Sequence, residues 1–104
     1  MYVHGEGLPR DDKEATKWFR KAAEQGHAQA QLKLGIAYME GVGVPKDLVA
    51  AYAWWNLAAY NDWEKAAKYR DVIAMLMTPE QIAEAQKLSK ELLKKIEANK
   101  AAKE

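Results

Sequence analysis

Small and apolar side chains recur along residues 27–61 in two helical stretches separated by a short loop. Ala30, Leu34 and Tyr38 fall at i, i+4 and i+8, one face of a helix. Gly41 ends that helix as a C-cap. Gly43 bends the loop again, and Pro45 cannot continue a helix interior. Asp47 is a natural N-cap, because its carboxylate accepts hydrogen bonds from amides that have no partner within the helix. The next stretch carries Ala51, Trp54 and Ala58 at i, i+3 and i+7. An earlier helix starts at Asp11, where Glu14 three residues on makes a capping-box-like pair. Later, Thr78-Pro79-Glu80-Gln81 marks a fresh start: Thr78 as N-cap, Pro79 at the first helical position, Gln81 as the capping partner. Beyond it Ile82, Ala85, Leu88, Leu92 and Ile96 form one stripe opposite a face of Glu and Lys. The pattern predicts five helices, at 11–25, 28–40, 47–60, 62–77 and 79–99, with 100–104 fraying.

The chain also repeats itself. A shift of 36 residues aligns Tyr2 with Tyr38, Gly5 with Gly41, Gly7 with Gly43, Pro9 with Pro45 and Asp11 with Asp47. It continues with Ala15 on Ala51, Trp18 on Trp54, and Ala22-Ala23 on Ala58-Ala59. Nine of the 22 positions between 2 and 23 are identical, where ordinary residue usage gives about one or two. Asn61 is expected at the place where Gly26 closes the earlier copy, and both residues tolerate a left-handed cap. Gly35 sits mid-helix, where glycine costs about 1 kcal/mol against alanine. The expected compensation is close approach of two helix backbones. The alanines at 22, 23, 58 and 59 let helices nest, and Trp18, Trp54 and Tyr38 fill the spaces between them.

This pattern resembles the Sel-1-like repeat family, relatives of the tetratricopeptide repeats. The family unit looks like A-x3-LG-x2-Y-x2-G-x-GV-x2-D-x3-A-x2-W-x3-AA-x2-G. Here it reads Ala30, Leu34-Gly35, Tyr38, Gly41, Gly43-Val44, Asp47, Ala51, Trp54 and Ala58-Ala59, with Asn61-Asp62 at the final glycine. The resemblance implies an all-α fold, a right-handed α-solenoid of antiparallel helix pairs, and a role as an adaptor that holds proteins or peptides. It implies one domain over 1–104: a partial repeat at 1–26, a repeat at 27–61, and a terminal helical pair at 62–99 whose last helix caps the stack. Two departures stand out. Met1 falls inside what would be a unit's first helix, so the expectation is either a fragment or an open end covered by a partner. Arg70-Asp71 stands where the unit has Leu-Gly, so helix 62–77 is expected to pack differently from an internal one.

Composition narrows the function classes. Sixteen basic and fifteen acidic residues nearly cancel, to +1. That leaves no broad positive footprint for nucleic acid or an anionic membrane, and neither partner is expected. No stretch approaches the ~18 apolar residues of a membrane span. The absence of cysteine excludes disulfides, thiolate zinc sites and Cys nucleophiles. Met1 to Gly5 shows no basic segment followed by an apolar run, so the chain as it stands reads as cytoplasmic. An upstream signal would make it periplasmic or secreted. The family's members are often bacterial.

Catalytic chemistry is sparse. His4 with Glu6 supplies two groups where a metal site needs three or four, and His27 follows a helix end as a surface residue. Gly5-x-Gly7 and Gly41-x-Gly43 are turns without the flanks of a phosphate loop. No G-x-S-x-G or HExxH arrangement is present. No catalytic, cofactor or metal residue is assigned, and the chain is expected not to be an enzyme. A hydrolase is a distant third reading. Lys87, Lys90, Lys94 and Lys95 are diluted by Glu84, Glu91 and Glu97, as on a solvated face.

In tetratricopeptide-like stacks the first helix of each pair lines the concave surface. That places Gln29, Lys33, Ile36 and Met39 on one wall, with Leu32 near them. The 36-residue shift adds Lys65, Lys68, Tyr69, Val72 and Met75. Such a mixed surface suits a peptide with apolar anchors and acidic groups. The alternative is that Ile36, Val72 and Met75 are core. Trp55 is expected in the core, and Trp63 is core or contact surface. The leading functional expectation is a non-enzymatic protein- or peptide-binding module. The second is a homodimer or larger self-assembly through the open first-repeat face, where Trp18 and Phe19 lie.

Overall fold

The computed structural model describes residues 11–61 and 63–103. The loop motif from Tyr2 to Pro9, with His4 and Glu6, lies outside the described residues. Among the described residues five helices follow one another: α1 (Asp12–Glu24), α2 (Ala28–Glu40), α3 (Leu48–Tyr60), α4 (Glu64–Ala74) and α5 (Pro79–Lys103). The fold is an all-α solenoid.

The repeat in the sequence is a repeat in hydrogen bonds. The Asp11 carboxylate accepts from the Glu14 amide at 3.0 Å, and Asp47 accepts from Ala50 at 3.1 Å. At the other ends, the amides of Gln25 and His27 both donate to the Ala22 carbonyl. Thirty-six residues on, Asn61 and Trp63 both donate to Ala58. Asn61 is therefore the counterpart of Gln25, with φ −94° against −91°. It does not take the left-handed role expected of it: Gly26 holds that position at φ +91°, and its counterpart, Asp62, is outside the described residues. Gly41 is a left-handed cap as expected, at φ +70°, its amide donating to Ala37 at 2.8 Å. Thr78 and Gln81 form a full capping box: each side chain accepts from the other's backbone amide, at 3.1 and 2.9 Å.

Helix α3 is the centre of the molecule. Its sequence LVAAYAWWNLAAY has no charged residue, and a helix apolar all round must be enclosed. One side meets α1, α2 and α5: Trp54 packs with Ala23, Ala30, Leu34, Leu57 and Ile96. The other side meets α2, α4 and α5: Trp55 packs with Leu32, Ala66, Ile73 and Ala85. Each indole removes about 150–250 Å² from water, a gross gain of roughly 4–6 kcal/mol before ordering costs.

Trp18 does not repeat the role of Trp54. Trp54 is 2% exposed, Trp18 60%. The reason is position in the stack: α3 has helices on both sides, whereas no described helix covers Trp18. Its ring instead lies under the Lys21 ammonium, 5.1 Å from the centroid. Gly35 is also explained differently. What approaches it is the Trp55 indole, not a helix backbone. A Cβ at 35 would overlap the ring nitrogen and stand 2.8 Å from Cε2. The same nitrogen donates to the Leu32 carbonyl at 2.9 Å, so the missing side chain admits both the ring and its hydrogen bond.

The last two helices differ in length from the expectation. Helix α4 stops at Ala74, and residues 75–77 turn through tight bonds from Met75 to Val72, Leu76 to Ile73 and Met77 to Ala74. The following Thr78-Pro79 junction disfavours continuing the helix. Helix α5 runs on through 100–103, where fraying was expected. Its end is held by α1: Asn99 donates to the Glu24 carbonyl at 3.1 Å, and Lys95 pairs with the Glu24 carboxylate at 3.2 Å. At the departure Arg70-Asp71, the arginine donates to Asn56 at 2.9 Å, and Asn56 donates to the buried Ser89 at 3.2 Å. This chain of polar contacts joins α4, α3 and α5.

Candidate functional site

Helices α2 and α4 both rest on α3, and a groove of about 370 Å³ runs between them. Trp55 is its floor. Ile36, Met39 and Glu40 from α2 form one wall; Tyr69, Val72, Ile73 and Leu76, from α4 and the turn after it, form the other. The Tyr69 ring meets Trp55 edge-on, with centroids 5.4 Å apart, which fixes floor against wall. Val72, Met75 and Leu76 are 63%, 83% and 72% exposed. Three such neighbours on one short segment are an apolar patch beside a concave apolar site, not scattered surface residues.

Four of the nine residues singled out from the sequence line this groove: Ile36, Met39, Tyr69 and Val72. The other five do not. Lys65 and Lys68 are exposed outside it, and Lys68 makes a surface pair with Glu64 at 3.9 Å. Met75 is exposed beside it. Gln29 lies in a shallow hollow with His27, Asn61 and Trp63. Lys33 faces α1, its ammonium 5.6 Å above the Phe19 ring. With these lysines outside the apolar groove, the expectation of an acidic partner loses its basis there: Glu40 is the charged residue of the lining. Leu32, named as a neighbour, is buried, whereas Ile36 is half-buried and Val72 and Met75 face outward. Trp63 is half-buried against the core around Trp55.

Sequence reasoning missed Glu40, Ile73 and Leu76 as lining residues, and Trp55, expected only in the core. The 36-residue shift pairs Glu40 with Leu76, so extending it one residue past Met39 would have found both.

A second groove of about 300 Å³ lies between α1 and α2, lined among others by Asp12, Phe19, Lys33, Ile36, Ala37 and Glu40. Among the described residues, no group of three or more His, Cys, Asp or Glu could hold a metal ion, and no helix is long and apolar enough to cross a membrane.

Comparison with known proteins agrees with this architecture. The chain is similar to a chitin synthase regulator from Malassezia restricta, 38% identical over 60 residues, covering 58% of this chain and 4% of that protein. It is similar to chitin synthase regulatory factor 3 of Schizosaccharomyces pombe, 39% identical over 61 residues, 59% of this chain and 6% of the other. A component of an ERAD-associated E3 ubiquitin-protein ligase from Arabidopsis thaliana is 36% identical over 74 residues, 71% of this chain and 12% of its own. The chain thus spans only a small part of these relatives. They are fungal and plant proteins, which lends no support to the expected bacterial origin. A crystal structure of c5321, a protective antigen of uropathogenic Escherichia coli with an SLR fold, superposes with a TM-score of 0.84 at 35% identity, over 97% of this chain and 22% of that one. The Sel1 repeat model matches residues 1–27 and 28–62. With two matched repeats over more than half its length, the chain belongs to the Sel1-repeat family.

Proposed function

We propose that this chain is a protein-interaction module that docks a segment of another protein in the groove between α2 and α4. The observation that carries this reading is an apolar groove floored by Trp55 and continuous with the exposed Val72 and Leu76. Burying such a surface on a partner is favourable, at about 25 cal/mol per Å² before association costs. The fungal and plant relatives, named as a regulator or a component, support it: such roles are exercised through other proteins. No catalytic role is assigned to any residue.

The test is selection of displayed random 12-residue peptides on the whole chain, followed by titration of the recovered peptides. Binding should saturate, and Val72→Asp and Leu76→Asp should each weaken it at least tenfold while the helical circular dichroism stays unchanged. Saturable binding that neither substitution affects would refute this site, and no recovered peptide would refute the docking role.

A second reading, self-association through α1, is favoured by the exposure of Trp18. Light scattering that shows a monomer at millimolar concentration would remove it.

A further inference from the structure

Helix α3 also borders a groove that the docking role above leaves unused. It lies between α3 and α5 and has a volume of about 380 Å³. Asn56, Leu57 and Tyr60 come from α3. Gln86, Ser89, Lys90 and Leu93 come from α5, at i, i+3, i+4 and i+7, one face of that helix. Successive helical residues stand about 100° apart, so Leu57 and Tyr60 lie about 140–200° round α3 from Trp55. This groove and the one between α2 and α4 therefore open on different sides of α3, and they share no lining residue. Leu57 is buried and Leu93 half-buried, which makes the floor apolar. Tyr60 alone in α3 is exposed, at 68%, and its ring belongs to neither core cluster.

We propose that this groove docks a peptide segment carrying an aspartate or glutamate side chain close to a bulky apolar one. The sign of the charge comes from Lys90. It is the charged residue of the lining and is exposed. The ion pairs among the described residues, Glu64–Lys68, Arg70–Asp71 and Glu24–Lys95, leave it out. The facing wall does not offset it, since α3 has no charged residue. On α5, Lys87 and Lys94 stand one turn before and after Lys90 on the same face. Glu84 and Glu91 lie about 100–120° away round the helix, and Glu97 stands a full turn beyond Leu93. Behind the groove Arg70 donates to Asn56, and its charge is paired with Asp71. The site is thus a neutral, apolar floor with an unpaired ammonium at its rim. Leu57, Leu93 and the Tyr60 ring take the apolar side chain, and Lys90 takes the carboxylate. Like charge at the rim selects against basic segments. From Gln86 to Leu93 is about 10 Å along α5, and an extended chain advances about 3.3 Å per residue. The two anchors are therefore within about three residues of one another.

The probes are displayed random 12-residue peptides, selected on the whole chain and depleted on its Lys90→Glu variant, whose helical circular dichroism is the folding control. Acidic residues should be enriched within about three positions of a bulky apolar one. Each recovered peptide is synthesised in three versions: with its acidic residue retained, changed to the corresponding amide, or changed to lysine. Affinity should fall about tenfold in the amide version and further in the lysine version. On Lys90→Glu the order should reverse, with the lysine version binding most tightly. Tyr60→Ala should weaken the acidic version about tenfold, whereas Val72→Asp, in the other groove, should leave it unchanged. No peptide surviving the depletion, or an order unchanged on Lys90→Glu, would overturn the inference. So would peptides that lose affinity on Lys90→Glu but not on Tyr60→Ala, which would show a bare charge effect without a groove. Each of these results leaves the docking role of the α2–α4 groove standing, because that role is read through Val72 and Leu76.

Discussion

The contact between Gly35 and Trp55 makes a prediction opposite to that of helix propensity. In an exposed helix, Gly35→Ala would stabilise the protein by about 1 kcal/mol. Here the new methyl group falls on the indole nitrogen and lies 2.8 Å from Cε2, so the buried ring must move. Overpacking of this kind costs about 1–3 kcal/mol. The move also threatens the 2.9 Å bond from the ring to the Leu32 carbonyl, and leaving a buried acceptor unpaired costs about 1–3 kcal/mol more. Less the propensity gain, the net loss is about 1–5 kcal/mol, with Gly35→Leu at least as damaging. Urea unfolding followed by circular dichroism at 222 nm reads it, as a lower midpoint at unchanged slope. The cause is separated from mere glycine loss by Gly35→Ala combined with Trp55→Phe. The smaller ring makes room for the methyl group, so the double variant should be about 1 kcal/mol more stable than additivity gives. A higher midpoint for Gly35→Ala, or strict additivity, would refute the reasoning.

Trp54→Ala should cost about 3 kcal/mol or more for a buried aromatic, whereas Trp18→Ala should stay within about 0.5 kcal/mol; equal losses in thermal melts would contradict their different surroundings. Thr78→Ala removes the N-cap of α5 and should cost about 1 kcal/mol in the same melts. Asn56→Leu removes the acceptor of Arg70 and a donor to Ser89, which keep partners in Asp71 and Ala85, and should cost about 1 kcal/mol, and Arg70→Met in that background should add little. An additive loss would show that the two polar contacts are independent.

Much of this fold is legible in residue spacing because the signals are local. Asp11, Asp47 and Thr78 act on amides three residues away, so their roles can be read without a tertiary structure. The different fates of Trp18 and Trp54 cannot, since the same residue in the same repeat position is buried only when helices stand on both sides of it. Gly35 announces a close approach, but whether a backbone or an indole fills the gap depends on how α3 is rotated. The groove was half legible for the same reason. The repeat shift finds which positions correspond, as with Ile36 and Val72, but not that Lys65 and Lys68 turn away from Trp55. Glu40 and Leu76 fall inside the helices expected at 28–40 and 62–77, but the candidate face stopped one residue short of each, at Met39 and Met75.

Helix α5 spans 25 residues where α1, α2 and α3 span 13 each. In a simple stack each unit touches only its neighbours, so ends can melt while the middle holds. Here Lys95 and Asn99 reach back to Glu24, bonds that close loops of more than 70 residues. The terminal helix thus acts as a clasp between the two ends of the described chain. Detaching it also uncovers Trp54, which it shields through Ile96. Denaturation should consequently proceed as a single event rather than by peeling, and refolding should wait on the slow encounter of distant segments.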